Sequence, residues 1–372
     1  MPISRKQARW TRRHFLVLSG AGLSAAALAA CSPSAPAAPD VSKEPVSLVF
    51  YHYTGSNQEI VPHEVAEQYM KDNPHVQITE LTGGAEQFAK RIAGFRTTGD
   101  PGVNVGYYNV EESFGGDEAG LWLPLDANRI PNMNDVEKSF WRPNNWGIGW
   151  GFAPLGMTYR TDVVSPAPTS WMDLLDPKYK GKVAIADAPL YSFNGFMAVN
   201  RILGGTESDP SPGFKAFSDA AKAGQFHSLF PGRGALQQLY ADRLISMAAY
   251  SKSIVAPWQE QGMPVAYAVP KEGQIGLPLY LQILKGSSPA QVYHSEQIIG
   301  RLLSPATLAR YCELTSSAPA STKVKLPEKL ANDPAYSAEA TKKLIPIDWK
   351  AYNQTLATWN DRWNREVKAN LK

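Results

Sequence analysis

Apolar and polar positions alternate from 46 to 53 (Val46-Ser47-Leu48-Val49-Phe50-Tyr51-His52-Tyr53), which predicts a strand that stops at Thr54-Gly55-Ser56. Ile60, Val61, Val65, Ala66, Tyr69 and Met70 recur at helical spacing, so 59–71 reads as a helix that Asn73-Pro74 ends. A second strand is predicted over 76–81, a helix over 86–97 and a short strand over 103–108. The order β-α-β-α-β is that of a mostly parallel sheet with helices on its faces. Further along, 120–126 and 146–159 read as extended. Strands are predicted at 182–186, 245–250 and 265–269. Helices are predicted at 170–175, 193–203, 214–223, 236–243, 291–303 and 305–314. The last helix, 348–368, carries Trp349, Tyr352, Leu356, Trp359 and Trp363 near one face. The pattern predicts an α/β fold.

The first thirty residues follow no such pattern. Arg5, Lys6, Arg9, Arg12 and Arg13 precede an apolar run from Phe15 to Ala30, with no acidic residue. Sixteen residues of helix cover about 24 Å, short of a hydrocarbon core of roughly 30 Å. The run closes on small residues, as a cleavage site requires, so 1–30 reads as a signal peptide. Thr11-Arg12-Arg13-His14-Phe15-Leu16 matches the twin-arginine export pattern. Leu28-Ala29-Ala30-Cys31 resembles the bacterial lipobox and implies acylation at Cys31. More than one acyl chain is what stable anchoring needs. The segment 31–45 is rich in Ser, Ala and Pro and predicts a flexible tether.

Charge changes once the leader is set aside. The chain holds 37 basic against 34 acidic residues, and five of the basic ones lie in the leader. The body is therefore slightly acidic, and the basic isoelectric point of the whole chain, which the leader supplies, is no sign of nucleic acid binding. Roughly 330 residues exceed what one core usually holds, so two domains are expected. Cys312 is the body's lone cysteine and forms no internal disulfide; it reads as buried packing. Ten Trp and sixteen Tyr favour a surface that is both apolar and hydrogen-bonding.

Several stretches together resemble a known family. Tyr53-Thr54 ends the first strand. Trp150-Gly151 is followed by Leu155-Gly156-Met157-Thr158-Tyr159-Arg160. Ser170-Trp171-Met172-Asp173-Leu174-Leu175-Asp176-Pro177-Lys178-Tyr179-Lys180-Gly181, Val269-Pro270-Lys271-Glu272-Gly273 and Leu302-Leu303-Ser304-Pro305 come after. Over 46–345 the chain resembles the spermidine/putrescine-binding branch of the periplasmic solute-binding proteins. The resemblance implies the type II periplasmic-binding fold: two lobes, each a mostly parallel sheet flanked by helices, with a ligand cleft between them. It implies lobe one at 46–154 plus 278–325 and lobe two at 155–277 plus 326–372. It also implies a monomeric, lipid-anchored envelope protein that captures a small solute for an ABC permease, with no cofactor and no catalysis.

Ligands of open α/β sheets sit beyond the carboxyl ends of strands, which selects Tyr53, Thr54, Tyr108, Asn109 and Asp187. The resemblance places ligand positions at Tyr53, Thr54, Asn109, Glu111, Asp187 and Tyr250. Tyr53 and Tyr250 are expected to sandwich an organic cation, Glu111 and Asp187 to meet ammonium groups, and Ser251 to supply a hydrogen bond. Tyr191 and Tyr280 complete the candidate set, from two stretches that depart from the family pattern. Polyamine binders carry a Trp and an Asp where this chain has Leu277 and Leu279, and Asp187 is followed by Ala188-Pro189-Leu190-Tyr191. An unpaired buried ammonium is costly, so a zwitterion, a quaternary ammonium or a solute with fewer amines is expected over a linear polyamine. Ferric-iron or thiamine relatives are the alternatives within the fold, Tyr107-Tyr108 being the adjacent phenol pair an iron site invites. An exported hydrolase is the alternative of another class, although no Gly-x-Ser-x-Gly elbow, phosphate loop or dinucleotide fingerprint is present. His52, His63, His75, His227 and His294 lack zinc spacing.

Overall fold

A computed structural model describes residues 40–83, 85–187 and 193–371. The leader, Cys31 and Tyr191 lie outside the described residues. Among the described residues, eleven strands form one mixed sheet. They are β1 (Val46–His52), β2 (Val76–Thr82), β3 (Val105–Tyr108), β4 (Trp122–Leu123), β5 (Ile148–Arg160), β6 (Val183–Ala186), β7 (Phe226–Phe230), β8 (Met247–Ser251), β9 (Val265–Ala268), β10 (Ile275–Leu284) and β11 (Ala318–Pro319). The spatial order is β2-β1-β3-β10-β5-β8-β6-β7, with β4 on β10 and both β9 and β11 on β5.

Parallel pairing is confined to the two ends. β1 pairs β2 and β3 in parallel, and β6 pairs β7 and β8 in parallel. These are the strands joined by helical crossovers, as parallel neighbours require. The middle is antiparallel and depends on two long strands. β5 pairs β10 and β11 through its first part and β8 and β9 through its last. β10 begins opposite Leu155 and ends beside β3 and β4. Extended β5 agrees with the sequence pattern. β10 does not, because Pro278 and Gly276 interrupt its periodicity; a register shift falls between Leu279 and Tyr280.

Each long strand passes from one packed core into another. Ile148, Trp150 and Phe152 belong to a core shared with Leu48, Phe50, Val105 and Cys312, whereas Leu155 and Met157 join one with Trp171, Phe196, Trp359 and Trp363. On β10 the order reverses: Ile275 sits in the second core, Leu281 and Ile283 in the first. Leu330, Ala335 and Tyr336 pack in the first core, and Ile345 resumes the second. Cys312 is fully buried in the first core, as the sequence suggests, and burial raises its thiol pKa.

The helices are α1 (Ile60–Asp72), α2 (Ala85–Thr98), α3 (Val110–Glu118), α4 (Phe193–Ile202), α5 (Ser211–Ala223), α6 (Arg233–Ala241), α7 (Lys252–Glu260), α8 (Pro289–Leu302), α9 (Pro305–Thr315), α10 (Glu328–Ala331), α11 (Ala338–Lys342) and α12 (Trp349–Arg362). α8 and α9 start where Ser288-Pro289 and Ser304-Pro305 supply a cap and a first-turn proline. α3 and α7 escape the sequence pattern, the first because its apolar spacing is weak and the second because Pro257 lies inside it.

Candidate functional site

The site is assembled at the carboxyl ends of strands where the two cores meet. β1 delivers Thr54, β3 delivers Asn109 and the start of α3, and β8 delivers Tyr250 and Ser251. With β5, β10 and α12 they enclose a cavity of about 490 Å³, within the usual range for a small-molecule site of roughly 300–1,000 Å³.

α3 is held in place by an interlocked cap. Asn109 Oδ1 accepts from the Glu112 backbone N–H at 2.9 Å, and Glu112 reaches back to the Asn109 N–H at 3.2 Å. This capping box satisfies backbone donors that would otherwise be stranded at a buried helix start. Tyr53 completes the lock: its hydroxyl donates to Glu112 and accepts from the Asn109 N–H at 2.9 Å. Burial, followed by the Glu112 charge, pushes the Tyr53 phenol well above its ordinary range. Tyr53 is therefore a bracket for α3. It is not among the cavity-lining residues, and its ring meets Tyr51 and Tyr107 edge-on, which corrects its expected place as a stacking face.

Glu111 lines the cavity on the next position of α3. Burial is the main cause of its raised pKa and the charge of Glu112 the second; together they lift it from 4.5 to about 7, against the lowering effect of a hydrogen bond with Tyr352. No cation pairs with Glu111 among the described residues. Tyr352 and Trp349 reach the cavity from α12, with ring centroids 5.8 Å apart. Trp349 also packs against Val110, Phe114 and Tyr280.

The second core's side contributes Tyr250, 5 % exposed and set edge-on against Phe230 at 5.6 Å. Ser251 caps α7 by accepting from the Ser253 N–H. Arg233, at the start of α6, lines the same cavity and donates to Ser56 Oγ at 2.8 Å. The rest is largely apolar: Leu155, Met197, Ile254, Leu277, Pro278 and Leu279.

Of the candidates read from sequence, Thr54, Asn109, Glu111, Tyr250 and Ser251 are thus brought together. Asp187 is not: its carboxylate is 2.7 Å from Lys368 Nζ, so the C-terminal segment takes the cation-binding place the sequence assigned to a ligand. Tyr280 is not either. It is 4 % exposed, edge-on to Phe114 at 6.5 Å, with the Arg142 guanidinium 5.4 Å from its ring. Arg142 itself pairs with Asp117 at 2.6 Å beneath α3. Tyr107 and Tyr108 are fully buried in core packing, and burial raises both phenols, so this pair offers no ready phenolate for iron. Among the described residues no group of three or more His, Cys, Asp or Glu is placed to hold a metal ion. Sequence reasoning missed Arg233, Trp349 and Tyr352. The aromatic face of 348–368 was the available sign, but its first turn meets the cavity while its later turns fill the core.

A wider groove of about 840 Å³ runs along α1, α8 and α9. Its arginines are already engaged: Arg129 with Glu296 at 2.5 Å, Arg301 with Asp72 at 2.7 Å and Arg310 with Glu64 at 2.6 Å. The smaller cavity is the better site, because its acid and its guanidinium have no ionic partners among the described residues.

An α/β molecule whose long strands run from one packed core into another, with a cavity at strand ends, suits a binding protein. Residues 64–338 match the family of bacterial extracellular solute-binding proteins, and the chain belongs to that family. Its members are solute-binding proteins, not enzymes. The spermidine/putrescine-binding periplasmic protein of Escherichia coli (strain K12) is 26% identical over 242 residues, 62% of this chain. The match spans 65% of that relative's length. Among solved structures, an ABC transporter protein from Clostridium perfringens is similar with a TM-score of 0.73 at 20% identity, covering 86% of this chain and 99% of that one. The spermidine/putrescine ABC transporter substrate-binding protein of Streptococcus pneumoniae gives a TM-score of 0.68 at 17% identity, covering 85% and 99%. The fold is that of the periplasmic binding proteins, as the resemblance implied.

Proposed function

We propose that the chain captures a small amine-containing organic solute in the cavity beside Glu111 and delivers it to the permease of an ABC importer. The observation that carries this reading is the half-buried Glu111 carboxyl, without a cationic partner among the described residues, amid Trp349, Tyr352 and Tyr250. An organic cation gains both an ion pair and aromatic faces there. The family supports the binding role, and the polyamine-binding relatives support an amine. Leu277 and Leu279 on the cavity wall weigh against a linear polyamine, since a second ammonium finds no carboxylate beside them.

Two lobes follow from the two cores: 46–154 with 278–325, and 155–277 with the C-terminal part. The segment 326–344 packs on the first lobe and the second resumes at Ile345. Ligand contacts from both lobes favour a closed form over an open one by their differential affinity alone. Cys31 is the proposed lipid anchor after twin-arginine export, and the monomer is the proposed working unit.

The test is purification of the chain from its native envelope, with mass spectrometry of co-purified small molecules and a thermal-shift screen. An amine that raises the melting temperature by mass action is the expected result. A screen in which amines never stabilise the protein, while anions or sugars do, overturns the ligand class. Cys31→Ser is expected to move the protein from the membrane fraction to the soluble one.

A further inference from the structure

The cavity carries a carboxyl and a guanidinium, set on different elements. Glu111 lines it from α3, whose Val110 and Phe114 pack with Tyr280 and Trp349. Arg233 stands at the first position of α6, on the second core's side, where its visible partner is the neutral hydroxyl of Ser56. Neither has a partner of opposite charge among the described residues. The same cavity is lined by Leu155, Leu277, Leu279 and Trp349.

We propose that the site is built for a zwitterion: one ammonium group against Glu111, one carboxylate against Arg233, and an apolar body along the leucines and Trp349. This deepens the amine-binding reading and rests on it. A guanidinium offers a carboxylate two parallel N–H donors, a geometry an ammonium ligand cannot use. The α6 start adds in the same direction, because unpaired backbone N–H groups at a helix N-terminus favour an anion. A diamine fails on the same ground that a zwitterion succeeds. Its second cation would face a like charge at Arg233 and bare Leu279, a repulsive element that sets specificity as effectively as an attractive one. A simple monoamine loses the Arg233 bond, and a simple carboxylate loses Glu111. Each lobe thus holds one end of the solute, so that only a molecule with both ends spans them.

The experiment uses the full chain and matched probes that differ only in their end groups. One set is 5-aminopentanoate, 1,5-diaminopentane, pentylamine and pentanoate. A second is built on a para-substituted benzene ring, to add apolar body. Calorimetry is expected to rank the zwitterion first in at least one set, about ten- to a hundredfold above its monoamine, the worth of one charge-assisted bond. Arg233→Gln should collapse the zwitterion-to-monoamine ratio, and Arg233→Lys should restore part of it. Glu111→Gln should collapse the zwitterion-to-carboxylate ratio. Arg233 is exposed, so its variants are expected to fold. A diamine that binds as tightly as the zwitterion, or an Arg233→Gln protein with an unchanged ratio, overturns the proposal while leaving amine capture standing. Binding of no amine at all, with or without a carboxylate, overturns both.

Discussion

At Glu111 two carboxyls share the first turn of one helix, and only one of them is bonded into the scaffold. Glu112 closes the cap with Asn109 and Tyr53, while Glu111 shares a hydrogen bond with Tyr352. A carboxyl whose folded pKa lies above its unfolded one contributes stability below about pH 4.5 and loses it as pH rises through about 7. The groups facing it are Glu112 on α3 and Tyr352 on α12, and both are accounted for in that shift. Glu111→Gln is therefore expected to stabilise the ligand-free protein by about 1–2 kcal/mol at pH 8 and by almost nothing at pH 5; chemical denaturation at the two pH values reads this directly. Leu279→Asp tests the other side of the specificity. An acid at that position gives a second ammonium its partner, so diamine affinity should rise at least tenfold, with calorimetry as the measure. Unchanged diamine binding would remove Leu279 from the account of specificity.

At the scale of the element, α3 is what brings the acid to the cavity, and its packing is tight. A Cβ placed on Gly116 would sit 2.2 Å from the Trp122 indole, whose Nε1 donates to the Ser113 carbonyl at 2.8 Å. Gly116→Ala should cost about 1–3 kcal/mol by overpacking and weaken ligand binding as α3 shifts. Asn109→Ala, which removes the cap, should cost about 1 kcal/mol. Most of the elements were legible in the chain, since strong alternation at 46–53 and helical spacing at 59–71 need no tertiary help. β7, β10, α3 and α7 were not. β10 carries a proline where the strand pairs on one side only, with β5, because its pairing with β3 begins at Tyr280. α3 is nine residues long, and its stability comes from the cap and from Tyr53, which lies 56 residues away in sequence from Asn109.

At the scale of the whole molecule, β5 and β10 run through both cores, and α12 closes the cavity while it and the turn after it fill the second core with Trp359 and Trp363. Trp359→Ala should cost about 3–5 kcal/mol, seen as a lower melting temperature. Because Tyr352 lies on the same helix, ligand affinity should fall with it. If ligand contacts span both lobes, addition of a bound solute should reduce the radius of gyration measured by small-angle scattering. An unchanged radius would argue for a rigid pair.

The chain's own pattern was enough for the α/β class and the buried lone cysteine, because each depends on local periodicity or composition. The resemblance added the family. It also named Thr54, Asn109, Glu111 and Tyr250, which line the cavity, as does Ser251, read as a hydrogen-bonding neighbour of Tyr250. Only the tertiary structure separated Tyr53, Asp187 and Tyr280 from them, since the partner that occupies each one (Glu112, Lys368 or the Phe114–Arg142 pair) is set by packing. It also brought in Arg233, Trp349 and Tyr352. Whether a side chain faces a ligand or a neighbour depends on which distant segment arrives first at its polar atoms, and no local pattern encodes that.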